Sequence, residues 1–124
     1  MKIREAIERI DSHKHNIYSQ NDKIAWLSRL DSMVKTLIID AHEGGENVEF
    51  TGYDDKTDMN TEMLVPAPFD EVYLRWLEAQ IDYHNGEFDK FNAAMLLFNA
   101  AWREFENYYK QEHGSPSGTC RFRF

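Results

Sequence analysis

The chain has a single cysteine, Cys120, among its 124 residues. An intrachain disulfide is therefore impossible, which removes the disulfide-stapled secreted class and fits a reducing compartment, or a particle assembled in one. No stretch approaches the roughly 20 apolar residues that cross a bilayer. The opening MKIREAIERI carries no signal-peptide hydrophobic run, so the expectation is a protein made and assembled in the cytoplasm, with no membrane partner. Positive charge is scarce: 14 Lys and Arg stand against 22 Asp and Glu, a net −8. That balance argues against a generic nucleic-acid or membrane-surface binder.

Chemical signatures are missing as well. There is no GxGxxG, no P-loop, no serine elbow, no HExxH and no Cys/His cluster. Cys120 has no evident base nearby. Carboxylates are plentiful, but none stands out as an acid–base pair. These gaps favour a structural or binding role over an enzyme, with no cofactor and no metal.

What the chain does have is aromatic residues, eleven of them between Pro66 and His113. Phe88, Phe91, Met95, Phe98, Trp102, Phe105 and Tyr109 follow at steps of three or four, the spacing of one helix face. From Glu87 to Glu112 such a helix would be about 39 Å long. The stripe widens on one side through Ala94, Leu97, Ala101 and Tyr108. The preceding segment carries two stripes, Phe69, Val72, Tyr73, Trp76, Ala79 and Tyr83, then Leu74, Leu77 and Ile81. Only Glu71, Arg75, Glu78 and Asp82 form a clearly polar wedge. A helix apolar over so much of its circumference is covered on two sides. The second cover is either another subunit or the N-terminal half of the same chain. On the first alternative, Leu74, Leu77, Ile81, Leu97 and Tyr108 are the candidate subunit interface. Pro66 and Pro68 mark the start of this pair, since proline suits a first helical turn. Asn85-Gly86 divides it, as an antiparallel hairpin in preference to a kinked continuous helix.

Upstream, Ile3, Ile7 and Ile10 share one face of a short helix over 2–10. DSHKHNIYSQ then breaks the pattern; His13 and His15 are too few for a metal site and read as exposed loop residues. Asn21 or Asp22 is the expected cap of a second helix through Ile24, Leu27, Leu30, Val34, Leu37, Ile38 and Ala41, ended by Gly44-Gly45. Trp26 and Met33 flank its stripe. Residues 47–65 are the non-helical part. NVEFTGY and TEMLV would form either a β-hairpin or an extended arm. Asp54, Asp58, Asn60 and Glu62 invite a calcium reading, but the central glycine and twelfth-position glutamate of an EF-hand loop are absent.

Charge is uneven. Glu43 to Glu62 holds seven acids and one base, −6 in 20 residues. Asp54, Asp55, Asp58 and Glu62 are the candidate acidic surface, read either as a solvated loop or as a face that repels an anion or docks something basic. After His113 the composition turns to Gly, Ser and Pro and ends Arg-Phe-Arg-Phe. If extended, Arg121 and Arg123 lie on one side and Phe122 and Phe124 on the other. This is either a disordered tail or a peptide that docks by strand addition, phenylalanines in pockets and arginines on carboxylates.

The run from Gly52 to Trp102 resembles small proteins encoded among the head genes of long-tailed bacteriophages and prophages of low-GC Gram-positive bacteria. The resemblance is carried by Tyr53-Asp54-Asp55, Asn60-Thr61-Glu62, Leu64-Val65-Pro66-Ala67-Pro68, Trp76-Leu77-Glu78-Ala79, Ile81-Asp82-Tyr83, Asn85-Gly86-Glu87 and Phe98-Asn99-Ala100-Ala101. It covers roughly residues 50 to 113. The first 45 residues share only the helical pattern, and nothing after His113 matches. Such proteins look like head–tail connectors, or adaptors. The resemblance implies a ring of about twelve copies beneath the portal protein, extending the double-stranded DNA channel and docking the stopper or tail. It places the protein in the virion, and it makes Arg121, Phe122, Arg123 and Phe124 the candidate portal-docking tail. The alternatives are another phage head or tail completion protein, a small helical regulatory module acting as monomer or dimer, and an enzyme built from scattered carboxylates.

The expected architecture is mostly α: one domain over 1–113, a small bundle of about four helices with an arm over 47–65 between the second and third, and a flexible tail over 114–124.

Overall fold

The computed structural model describes residues 1–113. Four helices carry the fold: α1 (Ile3–His13), α2 (Gln20–Val34), α3 (Glu71–His84) and α4 (Phe88–His113). The chain is mostly helical, and among the described residues there is no strand. The tail expected over 114–124 lies outside the described residues.

Helix α1 runs one turn further than its apolar spacing suggests and buries Ile3, Ala6, Ile7 and Ile10. Helix α2 is capped by Ser19, not by Asn21 or Asp22. The Ser19 hydroxyl oxygen accepts from the Asp22 amide at 3.1 Å, and Asp22 reaches back towards the Ser19 amide at 3.4 Å. This reciprocal pair satisfies two of the orphan donors of a helix start.

From Lys35 to Ile39 the helix widens into a π turn, with the Asp40 amide donating to the Lys35 carbonyl at 2.8 Å. The extra residue per turn shifts the register. Ile38 and Ile39 both face the core, while Leu37 is turned out to 56% exposure. An uninterrupted α-helical stripe would instead bury Leu37. The turn is closed by Gly45, where an added Cβ would sit 2.2 Å from the Ile39 carbonyl oxygen. Lys35 Nζ ties the closure by donating to the Gly45 carbonyl at 3.0 Å.

Helix α3 is the hub. Trp76 packs on Phe98, Tyr83 on Phe91 and Phe69 on Phe105, with centroid separations of 5.1, 5.3 and 6.2 Å. The falling and rising numbers of these pairs define an antiparallel hairpin of α3 and α4. Gly86 makes the turn at φ 75°, a conformation that favours glycine. Pro66 and Pro68 lie before the helix, in a turn closed by the Phe69 amide on the Pro66 carbonyl, and α3 itself starts at Glu71.

The other sides of α3 are covered by α1 and α2. The Trp76 indole N–H donates to the Trp26 carbonyl at 2.8 Å. Lys14 Nζ sits 2.8 Å from Asp82 Oδ1, an ion pair that neutralises the one acid of the polar wedge that is buried. Lys23, also buried, donates to Asp11 at 2.7 Å and to the Tyr18 carbonyl at 2.9 Å, tying the α1–α2 connection to both helices. Leu77 and Ile81 are wholly enclosed by these contacts. They therefore drop out of the candidate subunit interface: the N-terminal half of the same chain supplies the second cover of α3.

Candidate functional site

Of the two forms considered for residues 47–65, the extended arm is the one present. No ladder joins NVEFTGY to TEMLV. The arm instead lies down on the helices. Its Met63 amide donates to the Met1 carbonyl at 3.0 Å, and its Thr61 and Met59 carbonyls accept from the Ile3 and Arg4 amides at 3.1 and 2.9 Å. An isolated antiparallel bridge pairs Lys2 with Glu62.

The centre of attachment is Asp31, which is fully buried on α2. Its Oδ1 accepts from the Tyr73 hydroxyl of α3 at 2.7 Å. Its Oδ2 accepts from the Leu64 amide at 3.1 Å and, through a short contact, from the Tyr53 hydroxyl. Tyr73 oxygen in turn accepts from the Val65 amide at 2.7 Å. One carboxylate thus gathers three donors from two points of the arm and one of α3. Burial raises the Asp31 carboxyl above the usual carboxylate range, and the bonds from Tyr53, Tyr73 and Leu64 only partly offset it. Burial and the adjacent Asp31 together push both tyrosine hydroxyls up, so they remain protonated donors. Every polar atom here has its partner inside the chain, so this network holds the arm in place and leaves no reacting group free.

The sequence does contain the signal for it. Ile24, Leu27, Asp31, Val34 and Ile38 step by three and four. An acid at the middle of that stripe needs internal donors if it is to be buried.

The arm leaves its acids outside. Asp54, Asp55, Asp58 and Glu62 are all exposed. Asp54 and Asp58 spend one oxygen each on local turns, accepting from the Lys56 and Asn60 amides at 2.9 Å. Glu62 lies 3.2 Å from the main-chain amine of Met1. Among the described residues no three His, Cys, Asp or Glu side chains are placed to hold a metal.

Helix α4 carries four exposed large apolar side chains, Phe88, Leu96, Leu97 and Tyr108. Leu97 is 49% exposed and Tyr108 36%. Tyr108 stacks on Phe69 at 4.5 Å. Leu96, absent from every apolar stripe read from the sequence, is 72% exposed. Ala93 and Ala100 are exposed on the same side of the helix, so the two leucines stand between small residues. A shallow hollow opens beside Leu97, lined by Ala93, Ala94, Lys14, Glu78 and Lys90. The only sequence sign of Leu96 is a large aliphatic placed between Asn92 and Asn99 on the polar face.

Leu74 is half-buried. It floors a cleft with Ile10, and Arg9, His13, Glu71 and Arg75 form the walls. Glu78 also lines this cleft and borders the hollow beside Leu97, so the two openings adjoin. Arg121 to Phe124 lie outside the described residues, so no position is assigned to them.

No protein-family model matches the chain, and no curated protein or solved structure is significantly similar to it.

Proposed function

We propose that this chain is a structural subunit without catalytic activity, packing with copies of itself into a head–tail connector ring beneath a phage portal. The observation that carries the self-packing is the pair Leu96 and Leu97, exposed side by side on α4 between Ala93 and Ala100. Small residues beside large ones let a second backbone approach closely and still bury leucine. A ring joins two different patches, one from each neighbour. The α4 strip and the Leu74–Ile10 cleft are two different patches that adjoin at Glu78, which lines both the cleft and the hollow beside Leu97. The phage setting, and with it the portal, the stopper or tail and the virion location, rests on the resemblance of residues 50 to 113.

Mass in solution tests the assembly. Twelve copies of a 14.7 kDa chain weigh about 176 kDa. Light scattering of the purified protein, alone and mixed with portal particles, should find such a species in at least one of the two. A strict monomer that also fails to bind portal would refute the reading and leave the small regulatory module in its place.

In such a ring the exposed acids of the arm face the channel and repel the DNA backbone, so that it slides without sticking. Reversing Asp54, Asp55 and Asp58 to lysine should leave the ring mass unchanged and slow DNA passage. Full infectivity of a phage carrying that triple change would remove the acids from this role.

A further inference from the structure

Helix α4 repeats itself. Phe91-Asn92-Ala93-Ala94 returns seven residues later as Phe98-Asn99-Ala100-Ala101. Seven residues are close to two full turns, so each repeated residue lies nearly in line with its copy along the helix. Ala94 and Phe98 go into the core of the chain. Asn92, Ala93, Asn99 and Ala100 are exposed, and so are Leu96 and Leu97 between them. One half of the repeat is thus packed within the chain, and the other half is left facing outwards.

Charge closes this outward strip at both ends. Asp89 and Lys90 stand seven residues before the two leucines, Arg103 and Glu104 seven residues after them, and all four are exposed. Asp89, Leu96 and Arg103 form one edge of the strip, and Lys90, Leu97 and Glu104 form the other. Each edge therefore carries one acid and one base, at opposite ends. Among the described residues Asp89, Arg103 and Glu104 make no ion pair, while Lys90 holds Glu87 at 2.9 Å.

We propose that this strip is a two-fold contact between two copies of the chain, their α4 helices antiparallel about an axis that passes between Leu96 and Leu97. Such an axis sets like edges against each other. Leu96 meets the partner's Leu96 on one edge, and Leu97 meets the partner's Leu97 on the other. Asp89 comes within one residue's rise, about 1.5 Å, of being level with the partner's Arg103. Lys90 stands in the same relation to the partner's Glu104, a match that adds less because Lys90 already serves Glu87. Both matches occur twice. Ala93 lies on the partner's Ala100, which lets the backbones approach, and Asn92 comes within amide reach of the partner's Asn99. The hollow of about 210 Å³ beside Leu97, walled by Ala93, Ala94 and Lys90, takes the partner's Leu97. A parallel pair in register would set every charge against its like, so the order of charges selects the antiparallel one.

The proposal rests on one part of the reading above, that this face of α4 meets another copy, and not on the ring or the phage setting. A two-fold contact closes on itself, whereas a ring joins unlike patches. The pair is thus a form in which the strip is covered, and a subunit must leave it before the strip can serve a ring.

Paired cysteines read the register. In a Cys120→Ser background, one full-length chain carries Ala93→Cys and a second carries Ala100→Cys. Mixed and held with oxidised glutathione, they should join into a mixed dimer about tenfold faster than either joins to itself, followed by non-reducing gels and mass spectrometry. Each thiol lies about 10 Å along the helix from its own copy and level with the other. Charge gives a second readout. Asp89→Arg alone, or Arg103→Asp alone, places like charges together at both ends. Light scattering over a dilution series should show the dimer of about 29 kDa weakened about tenfold by either change. Mixing these two variants restores opposite charges and should restore the pairing. Self-joining as fast as mixed joining, no joining, or charge changes without effect would each overturn the proposal. Binding to portal particles is measured on the same chains. A ring on portal without the mixed bond removes the pairing and keeps the connector, and the mixed bond without portal binding does the reverse.

Discussion

Asp31→Ala should cost the protein about 3–5 kcal/mol of stability, measured by urea or guanidinium unfolding. The change removes the acceptor of the Tyr73 hydroxyl, the Tyr53 hydroxyl and the Leu64 amide at once. Tyr73 is completely buried, so its hydroxyl keeps only its role as acceptor from Val65 and loses its own acceptor. The arm should come loose before the helices melt, and limited proteolysis should cut between residues 47 and 65 in the variant and not in the parent. Asp31→Asn keeps one carbonyl acceptor and should cost less, about 1–2 kcal/mol. If Asp31→Ala unfolds with the parent's midpoint, the carboxylate is not what holds the arm.

The same residue sets a pH dependence. The folded-state value of Asp31 is raised, chiefly by burial. A raised carboxyl contributes fully to stability while protonated, below its unfolded value of about 3.9. That contribution is lost as pH climbs through the folded value. Relative to Asp31→Asn, the parent should therefore lose stability across this rise, and the gap between the two unfolding curves should change in that direction. A gap independent of pH would contradict the burial of an ionisable group at this position.

The second large effect is on assembly. Leu96→Glu with Leu97→Glu should leave a 14.7 kDa monomer where the parent forms a ring, alone or on portal particles. Burying a leucine contributes about 1.5–3 kcal/mol, so losing two at every contact weakens each by at least about a hundredfold. Placing like charges there adds repulsion. Stability of the single chain should move by no more than about 0.5 kcal/mol, because both side chains are already exposed. Circular dichroism melting checks that control. Assembly that survives the double change would take the interface off this face of α4 and leave the Leu74–Ile10 cleft to be tested by Leu74→Glu.

The helices were legible in the sequence because their periodicity is strong. The α4 stripe from Phe88 to Tyr109 reappears in the packing of Phe98, Phe105 and Tyr109 into the core, although Phe88 at its start is 57% exposed. The break at Asn85-Gly86 is the hairpin turn. Two features escaped for physical reasons. The π turn at Lys35–Ile39, which follows α2, holds one extra residue, and a pattern scan at constant 3.6 residues per turn cannot anticipate that; Leu37 and Ile39 exchange places as a result. The Asp31 network depends on Tyr53 and Tyr73, far apart along the chain, meeting one carboxylate, which is a property of the tertiary fold. The residues offered as a subunit interface divide by exposure. Leu97 and Tyr108 are exposed, while Leu77 and Ile81 follow the same apolar pattern but are covered by α1 and α2. Pattern alone tells which residues avoid water, not whether the cover comes from the same chain.

The arm's attachment has a mechanical consequence. Tyr53 and Leu64 pull on opposite limbs of the arm, yet both are bonded to the same oxygen of Asp31, and Tyr73 links the other oxygen to the hub helix. Load applied to the arm by a partner is thus delivered to the last turn of α2 at Asp31 and the first turn of α3 at Tyr73, not to a hinge at the arm's root. A loop hinged only at its ends would yield under that load and absorb it. This one behaves as a lever on the bundle, so docking at the arm and the packing of α2 against α3 are not independent of each other.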